Sequence, residues 1–223
     1  MNWKDEGYLL HKTNFDENSI IIEVFTQNHG KYSGVVYGGS SRKLKKIFQI
    51  GNKILVNLVS KSNNRMGYFN VELLNPISPL FFDDKKRSIA VLSASTILKI
   101  LLPERQINIK VYDSFNQMIN QLNTPNWIKL YILWELSLIK ELGFEINFDN
   151  YRANPKKNNF IIEVNDNFYE FPKLFLNPYQ INLSNIEIRM GLEFTKKLLI
   201  QNFILPNKLK FPLPRNILEK YYS

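Results

Sequence analysis

The sequence predicts an α+β protein, with a small five-stranded β-barrel followed by a mainly helical part that contains a β-hairpin. Two observations support this fold class. Between Asp5 and Pro76 the chain has five short runs rich in β-branched and aromatic residues, separated by turn residues. Beyond Pro79 the apolar residues recur with a helical period. We therefore predict a barrel domain over 1–79 and a helical domain over 80–223.

The five predicted strands are six to eight residues long. Val56 and Leu58 flank Asn57 in the period of two that half-buried strands show. Asn28-His29-Gly30 predicts a tight hairpin turn, and Asn63-Asn64 predicts a second one. The connection between the third and fourth strands is longer and basic. The predicted strands are Glu6–His11, Ser19–Thr26, Tyr32–Tyr37, Lys53–Ser60 and Gly67–Leu74.

Helical periodicity dominates the second domain, with a hairpin predicted at about 158–171. Thr124 is the predicted N-cap of the third helix, with Pro125 at its first position and Gly143 just past its end. Because that helix is apolar nearly all round, we expect it to be buried. Ser184 and Glu187 have the spacing of a capping box. The predicted helices are Lys86–Leu102, Val111–Leu122, Asn126–Leu142, Asn185–Phe203 and Arg215–Tyr222.

Composition limits the possible partners and chemistry. A net charge of +9 favours polyanions such as nucleic acid or an acidic membrane surface. The absence of cysteine excludes disulfides, thiolate metal sites and cysteine nucleophiles. The first fourteen residues lack the pattern of a signal peptide, and no apolar stretch reaches the roughly 18 residues of a membrane-spanning helix. We expect a cytoplasmic protein with no membrane partner.

A search for catalytic groups gives no enzyme candidate. Asp83-Asp84 precedes a predicted helix, where negative charge is favourable for structural reasons. Asp5-Glu6 is interpreted as the exposed start of a strand. His29 lies in a predicted turn without a third residue to orient it. The sequence Gly38-Gly39-Ser40-Ser41 lacks the spacing of a phosphate-binding loop. We therefore expect no catalytic residue, no cofactor and no metal.

Binding is better supported, because a basic cluster follows a double glycine between the third and fourth strands. Small barrels of the OB (oligonucleotide-binding) type hold single strands on aromatic faces while basic loops follow the backbone. The cluster is compatible either with this role or with an ordinary solvated loop. Tyr32, Tyr37, Tyr68 and Phe69 are possible stacking residues, and each is also compatible with the core. The predicted DNA-binding residues are Lys31, Tyr37, Arg42, Lys43, Lys45, Lys46, Lys61 and Arg65.

Several motifs resemble one family in their order and spacing. The chain opens with W-x-D-E-G-Y-L-L and continues with an acid-bearing strand, a glycine-rich turn and Q-x-G-N. L-P-E-R and E-L-G-F follow in the second half. Together these motifs resemble the bacterial recombination mediator RecO family, particularly its alphaproteobacterial members, as far as about Leu205. The motifs lie at Trp3–Leu10, Ile20–Thr26, His29–Arg42, Gln49–Asn52, Leu102–Arg105, Trp134–Leu136 and Glu141–Phe144.

This resemblance implies a non-enzymatic, nucleoid-associated DNA-repair protein with an N-terminal OB fold. Such proteins bind single- and double-stranded DNA, anneal strands coated by the single-stranded DNA-binding protein SSB, and act with RecR to load RecA. Family members often carry a four-cysteine zinc module after the E-L-G-F element. Because Ile146–Phe171 contains no cysteine, we expect that zinc to be absent here and the segment Phe160–Phe171 to hold its place by packing.

The resemblance also implies a site for the acidic, hydrophobic C-terminal tail of SSB in the helical domain. Arg189, Lys196 and Lys197 are candidates for its cationic rim, although a solvated helix face is the more common role of such residues. The alternative hypothesis, from a different functional class, is a protein–protein adaptor without direct DNA contact.

Overall fold

A computed structural model describes residues 2–41, 44–60, 66–154, 159–164, 167–177 and 183–222. The chain forms two compact units. The first comprises Met1–Tyr112 with Pro212–Arg215, and the second comprises Asp113–Phe211 with Asn216–Ser223. The strands of the first unit end near the predicted boundary at residue 79. The division between the units nevertheless falls after Tyr112, because the first long helix belongs to the unit that contains the barrel.

Five strands of the first unit form a closed barrel in the order β1-β2-β3-β5-β4. β1 pairs antiparallel with both β2 and β4. One parallel pair, Val35 opposite Tyr68, joins β3 to β5. This arrangement confirms the predicted five-stranded OB barrel. The strands are β1 (Asn2–Asn14), β2 (Ser19–Thr26), β3 (Gly30–Tyr37), β4 (Lys53–Val59) and β5 (Tyr68–Asn75).

Strand β1 is longer than predicted because two neighbours share it. Its first part pairs with β4, beginning with Asn2 opposite Val59. Its last part pairs with β2 and ends with Asn14 opposite Ile20. The register of the β1–β2 pairing shifts between Leu9 and His11, just after the pairing of β1 with β4 ends at Tyr8. Because the residues at both ends are mostly polar, the sequence pattern did not predict these extensions.

The barrel interior is filled from all five strands, and residues of β3 show how. Tyr32 and Val36 belong to the buried cluster, together with Phe69 of β5. A Cβ atom at Gly34 would lie 2.5 Å from the Phe69 ring. Glycine at this position therefore allows the Phe69 side chain to fill the barrel.

Two helices follow the barrel within the first unit: α1 (Ile77–Leu80) and α2 (Lys85–Leu101). Asp84 caps α2, since its carboxylate accepts a hydrogen bond from the backbone N–H of Arg87 at 3.0 Å. This geometry confirms the predicted role of the aspartate before the helix. Gly51 has a φ of +88°, and a Cβ there would lie 2.1 Å from Val91 Cγ1. The chain before β4 therefore lies directly against α2.

The L-P-E-R element is attached to β3 of the barrel. Glu104 forms an isolated parallel bridge with Lys31, and the backbone N–H of Arg105 donates to the Lys31 carbonyl at 2.8 Å. The Ser33 hydroxyl donates to Glu104 Oε1 at 2.8 Å. The guanidinium of Arg105 lies 5.0 Å from the ring centroid of Tyr32. These contacts give the motif a structural role in the first unit.

The second unit combines helices with a small antiparallel sheet in the order β6-β7-β8. The predicted hairpin is present as β7 and β8, but β6 was missed because its four residues show no apolar alternation. The division between the units falls within α3. A π-helix, Ile200–Ile204, continues α5. The elements are α3 (Ile109–Asn120), α4 (Trp127–Glu141), β6 (Tyr151–Asn154), β7 (Asn159–Val164), β8 (Asn167–Phe171), α5 (Asn185–Leu199) and α6 (Leu213–Lys220).

Two of the three predicted helix caps are present. Ser184 and Glu187 form the complete capping box of α5. Gly143 has a φ of +96°, and its N–H donates to the Lys140 carbonyl at 2.9 Å, as expected just past the end of α4. The prediction for Thr124 is wrong. Its hydroxyl donates instead to the Gln121 carbonyl at 2.8 Å, and α4 starts with Asn126 at the N-cap.

Aromatic side chains form much of the core of the second unit. Phe171 is fully buried, and its ring centroid lies 5.3 Å from that of Phe148 and 5.8 Å from that of Phe194. α4 is less buried than predicted, because Leu133 and Leu136 on one of its faces are half-exposed. The hairpin therefore packs on aromatic rings, and α4 keeps a partly open surface.

Candidate nucleic-acid interface

The basic turn, defined here as residues 42–46, lies between β3 and β4. Its described part, Leu44–Lys46, is a single 3₁₀ turn. Lys45 and Lys46 are exposed. Within the described ranges, neither of these two side chains has an ion-pair partner. Four predicted DNA-binding residues lie outside the described residues: Arg42, Lys43, Lys61 and Arg65.

Asn52 holds the end of the basic turn in place. This residue is fully buried, and its side-chain amide donates to the carbonyls of Lys46 at 3.3 Å and Ile47 at 3.1 Å. Its side-chain oxygen accepts from the backbone N–H of Ser78 at 3.1 Å. The Q-x-G-N motif was the sequence signal for this anchor, although its structural role was not predicted.

Lys12 adds a cation that the sequence analysis missed. Its Nζ donates to the carbonyl of Phe48 at 2.5 Å, just beyond the basic turn. Burial lowers the pKa of Lys12, and the positive charge of Lys45 lowers it further. The ammonium of Lys12 therefore adds a positive charge just beyond the basic turn.

A second connection approaches the basic turn at the same end of the barrel. The Ser40 hydroxyl, just before the turn, donates to the carbonyl of Glu17 at 3.0 Å. Glu17 lies between β1 and β2, in a turn where Asp16 accepts the backbone N–H groups of Asn18 and Ser19 at 2.8 and 2.6 Å. We use the term loop end for residues 15–18 and 37–48 together with the start of β5 at 66–68.

The structure separates the four candidate stacking residues into two pairs. Tyr37 is 67% exposed and Tyr68 is 38% exposed, with ring centroids 5.8 Å apart. Tyr32 and Phe69 are buried in the barrel core, so the expectation that they could stack on bases is wrong. Of the four candidates, the outward-facing pair Tyr37 and Tyr68 is therefore the one exposed at the loop end.

Lys31 is removed from the candidate interface. It is only 8% exposed, and its Nζ donates to the backbone carbonyl of Lys99 at 2.6 Å. Burial is the largest cause of its lowered pKa, which Glu23 and Glu104 partly offset. Lys31 therefore links β3 to α2 within the first unit and does not present its charge to a ligand.

Two family models match the chain. The model described as recombination protein O N terminal matches residues 1–100, and recombination protein O C terminal matches residues 83–158. The chain belongs to the RecO family. The DNA repair protein RecO of Wolbachia pipientis from Culex pipiens is 31% identical, with 100% of both chains covered. RecO of the Drosophila simulans Wolbachia is 29% identical over 98% of this chain and 99% of its own.

Another RecO protein, from Cereibacter sphaeroides strain ATCC 17029, is 36% identical over 66% of this chain and 61% of its own length. Among solved structures, an Entamoeba histolytica asparaginyl-tRNA synthetase aligns with a TM-score of 0.31 and 11% identity, covering 95% of this chain and 59% of that chain. That likeness is too low to carry an argument.

The opening motif, Trp3–Leu10, contains a buried carboxylate that was expected to be exposed. Asp5 is 5% exposed, and its Oδ2 accepts from the backbone N–H of Asn28 at 2.8 Å. The same oxygen lies 2.8 Å from His29 Nδ1. Burial raises the pKa of Asp5, but the hydrogen bonds from His29, Asn28 and the backbone of Glu6 hold it below its usual value.

The pairing of His29 with Asp5 shapes the turn between β2 and β3. The indole of Trp3 stacks on the His29 ring at 4.0 Å with an interplanar angle of 8°. These contacts assign His29 and Asp5 to turn structure.

Within the described ranges, no cluster of three or more histidine, aspartate or glutamate side chains could hold a metal ion. Among the same residues, no helix is long and apolar enough to cross a bilayer.

The candidate partner residues on α5 of this RecO chain differ in their contacts. Arg189 Nε donates to Glu193 Oε1 at 2.8 Å. Lys196 donates to Glu219 at 3.2 Å, whereas Lys197 is exposed. A cavity of about 440 Å³ opens beside the first two turns of α5. Its lining comprises Asn185, Ile186, Arg189, Met190, Glu193, Tyr221 and Tyr222.

Proposed function

We propose that this chain is a DNA repair and recombination mediator that binds DNA through the loop end of its barrel, without covalent chemistry. Membership of the RecO family and the names of its relatives support the repair role. The observation that carries the DNA-binding assignment is the basic turn. Exposed Lys45 and Lys46 lie there on a backbone fixed by buried Asn52, with Lys12 nearby.

The physical basis of this binding is neutralisation of phosphates. Cations that contact a nucleic-acid backbone release condensed counterions, and this gives a salt-sensitive affinity that does not depend on sequence. Because Lys45 and Lys46 have no ion-pair partner among the described residues, binding would displace no described carboxylate. Lys12, whose Nζ donates to the Phe48 carbonyl just beyond the turn, adds a further positive charge there.

Such a surface is compatible with both single- and double-stranded DNA, since both present phosphates. A basic surface that neutralises two backbones also lowers their mutual repulsion, which is a requirement for annealing complementary strands. Annealing of SSB-coated strands and, with RecR, assistance in loading RecA are therefore included in the proposed role. In this mechanism the protein supplies contacts and charge, and no residue acts as a catalyst.

We place the SSB-tail site at the cavity beside α5. Ile186 is 72% exposed there, and Arg189 and Tyr221 line the same cavity. An acidic, hydrophobic tail fits an apolar floor with a cationic rim. The ion pair between Arg189 and Glu193 would have to open for Arg189 to bind a tail carboxylate. Exposed Lys197 needs no such change, whereas Lys196 is held by Glu219.

The second candidate function is a protein–protein adaptor with no DNA contact. The cavity and exposed Ile186 of the second unit favour it, because they offer an apolar binding surface independent of the barrel. The two functions make opposite predictions for purified protein and DNA in the absence of any partner.

Single-stranded DNA binding across a salt series separates these functions. For Lys45→Ala with Lys46→Ala, we expect the slope of log affinity against log salt to flatten by about 1.4, which is roughly 0.7 for each lost phosphate contact. The matched control changes Lys85 and Lys86, two exposed lysines at the start of α2, to alanine and removes the same charge. An unchanged slope in the first variant contradicts the assigned site. Absence of binding by the wild-type chain favours the adaptor.

A further inference from the structure

We infer that Tyr37 and Tyr68 form a stacking platform for an unpaired base, which makes the loop end prefer single-stranded over double-stranded DNA. This inference rests on the proposed function, because it concerns the same DNA surface. The two tyrosines distinguish single-stranded from double-stranded DNA, whereas the basic turn supplies affinity for both.

The position of the pair in the barrel leaves its rings open. Tyr37 is the last residue of β3. Tyr68 is the first residue of β5, and its pairing with Val35 closes the barrel. Their rings are tilted by 52° with centroids 5.8 Å apart, so each supports the other at one edge. With 67% of Tyr37 exposed, most of its surface is free to contact a ligand.

The barrel does not need these two rings for its core. The interior positions of the same strands are filled by Tyr32, Val36 and Phe69, all of which belong to the buried cluster. Tyr37 and Tyr68 are outside that cluster. Adjacent exposed aromatic rings that contribute nothing to a core are characteristic of a binding surface.

Backbone hydrogen bonds connect the end of β3 to the described part of the basic turn. The backbone N–H of Gly39 donates to the carbonyl of Val36 at 3.4 Å. The N–H of Ser41 donates to the carbonyl of Gly38 at 3.1 Å, and the N–H of Lys45 donates to the carbonyl of Ser41 at 3.1 Å. Two of these hydrogen bonds link Gly38, next to Tyr37, through Ser41 to Lys45. A ring for a base and a cation for a phosphate, Tyr37 and Lys45, thus stand only eight positions apart in the chain.

This combination distinguishes unpaired from paired bases. Phosphates are accessible in single strands and duplexes alike, so the lysines contribute to both. The face of a base inside a duplex is covered by its neighbours, whereas an unpaired base can lie on a tyrosine ring. Stacking tolerates any base because every base has a π-face. The platform is therefore selective for strandedness and not for sequence.

The test measures the affinity of three probes of equal length: an oligothymidylate, an oligonucleotide whose sites are abasic, and a duplex. The wild-type chain should bind the oligothymidylate about 5- to 150-fold more tightly than the abasic strand. Tyr37→Ala with Tyr68→Ala should remove this difference and leave duplex affinity within about twofold. Tyr37→Phe with Tyr68→Phe retains both rings and should bind as the wild type does.

Phe168→Ala is the matched control, because Phe168 is 65% exposed, much like Tyr37, but belongs to the second unit. Equal wild-type affinity for the oligothymidylate and the abasic strand would overturn the platform and leave DNA binding by the basic turn intact. If the alanine variant lost as much affinity for the duplex as for the oligothymidylate, the inferred selectivity for single strands would be overturned. Failure of the wild-type chain to bind any probe would overturn the inference together with the proposed function.

Discussion

At the scale of single residues, the buried carboxylate of Asp5 organises one turn of the barrel. It accepts hydrogen bonds from Asn28 through both the backbone and the side chain, at 2.8 and 2.9 Å, and lies 2.8 Å from His29 Nδ1. A carboxylate that is paired in this way stabilises the fold only while it remains ionised. The turn between β2 and β3 should therefore be sensitive to acid.

We predict that Asp5→Asn lowers the free energy of unfolding by about 2 kcal/mol at pH 7, since hydrogen bonds to a charged group are lost. The folded-state pKa of Asp5 lies below its unfolded value. The stabilisation is thus present above the unfolded pKa of about 4 and disappears as pH falls through the folded pKa. Urea unfolding should show that the free energy of unfolding differs between variant and wild type at pH 7, and that this difference shrinks below a pH of about 4.

Asp83→Asn is the control for this prediction, because Asp83 is exposed before α2. We expect its free energy of unfolding to stay within about 0.5 kcal/mol of the wild-type value. If the Asp5→Asn difference were constant across the pH range, ionisation of Asp5 would not be the source of the stabilisation.

Residue roles were predictable from sequence where the signal is local. Ser184 and Glu187 are three positions apart, and this spacing alone predicts their capping box. Burial of an aromatic residue depends instead on which way each strand faces after the barrel closes. Tyr32 and Tyr37 were indistinguishable in the sequence for this reason, and the cation Lys31 could not be recognised as a buried link to α2.

At the scale of elements, the sheet β6-β7-β8 occupies the segment where the family resemblance implies a zinc module in other members. This chain has no cysteine, and here aromatic packing holds the segment together. Phe171 of β8 is fully buried against Phe148, Phe175 and Phe194. Burial of aromatic surface thus takes the structural role that a metal–thiolate site would have.

We predict that Phe171→Ala lowers the free energy of unfolding by about 3 to 5 kcal/mol, the usual cost of removing a buried phenylalanine. Phe168→Ala is the matched control on the same strand, since Phe168 is 65% exposed, and its effect should stay within about 0.5 kcal/mol. Unfolding in urea, followed by circular dichroism, measures both effects. A metal chelator should leave the wild-type unfolding midpoint unchanged, and a chelator-induced loss of stability would contradict this role of the aromatic cluster.

Most elements were predictable because their periodicity is strong, and the exceptions have physical causes. β2 extends over Ser19–Thr26 as predicted, since its apolar run is continuous. β6 escaped prediction because pairing with β7, and not its own composition, makes it a strand. Thr124 has good N-cap chemistry, but its hydroxyl bonds back to Gln121 and closes the preceding turn.

At the scale of the whole molecule, the proposed functions are divided between the two compact units. The loop end of the first unit carries Lys45, Lys46 and the tyrosine pair, and Lys12 contacts it at Phe48. The second unit carries the cavity beside α5. The sequence indicated the basic turn and the family resemblance, whereas Asn52 as its anchor and Lys12 as its neighbour emerge only from contacts between distant segments of the chain.

Amide hydrogen exchange of the full chain, with and without a single-stranded oligonucleotide, tests the central claim most directly. Loops exchange readily unless a ligand covers them, so bound DNA should slow exchange where it contacts the chain. We expect slower exchange in peptides covering 12–18, 37–48 and 66–70, and unchanged exchange across the hairpin at 159–171. Slower exchange confined to the second unit, with the loop end unaffected, would contradict the assignment of DNA binding to the barrel.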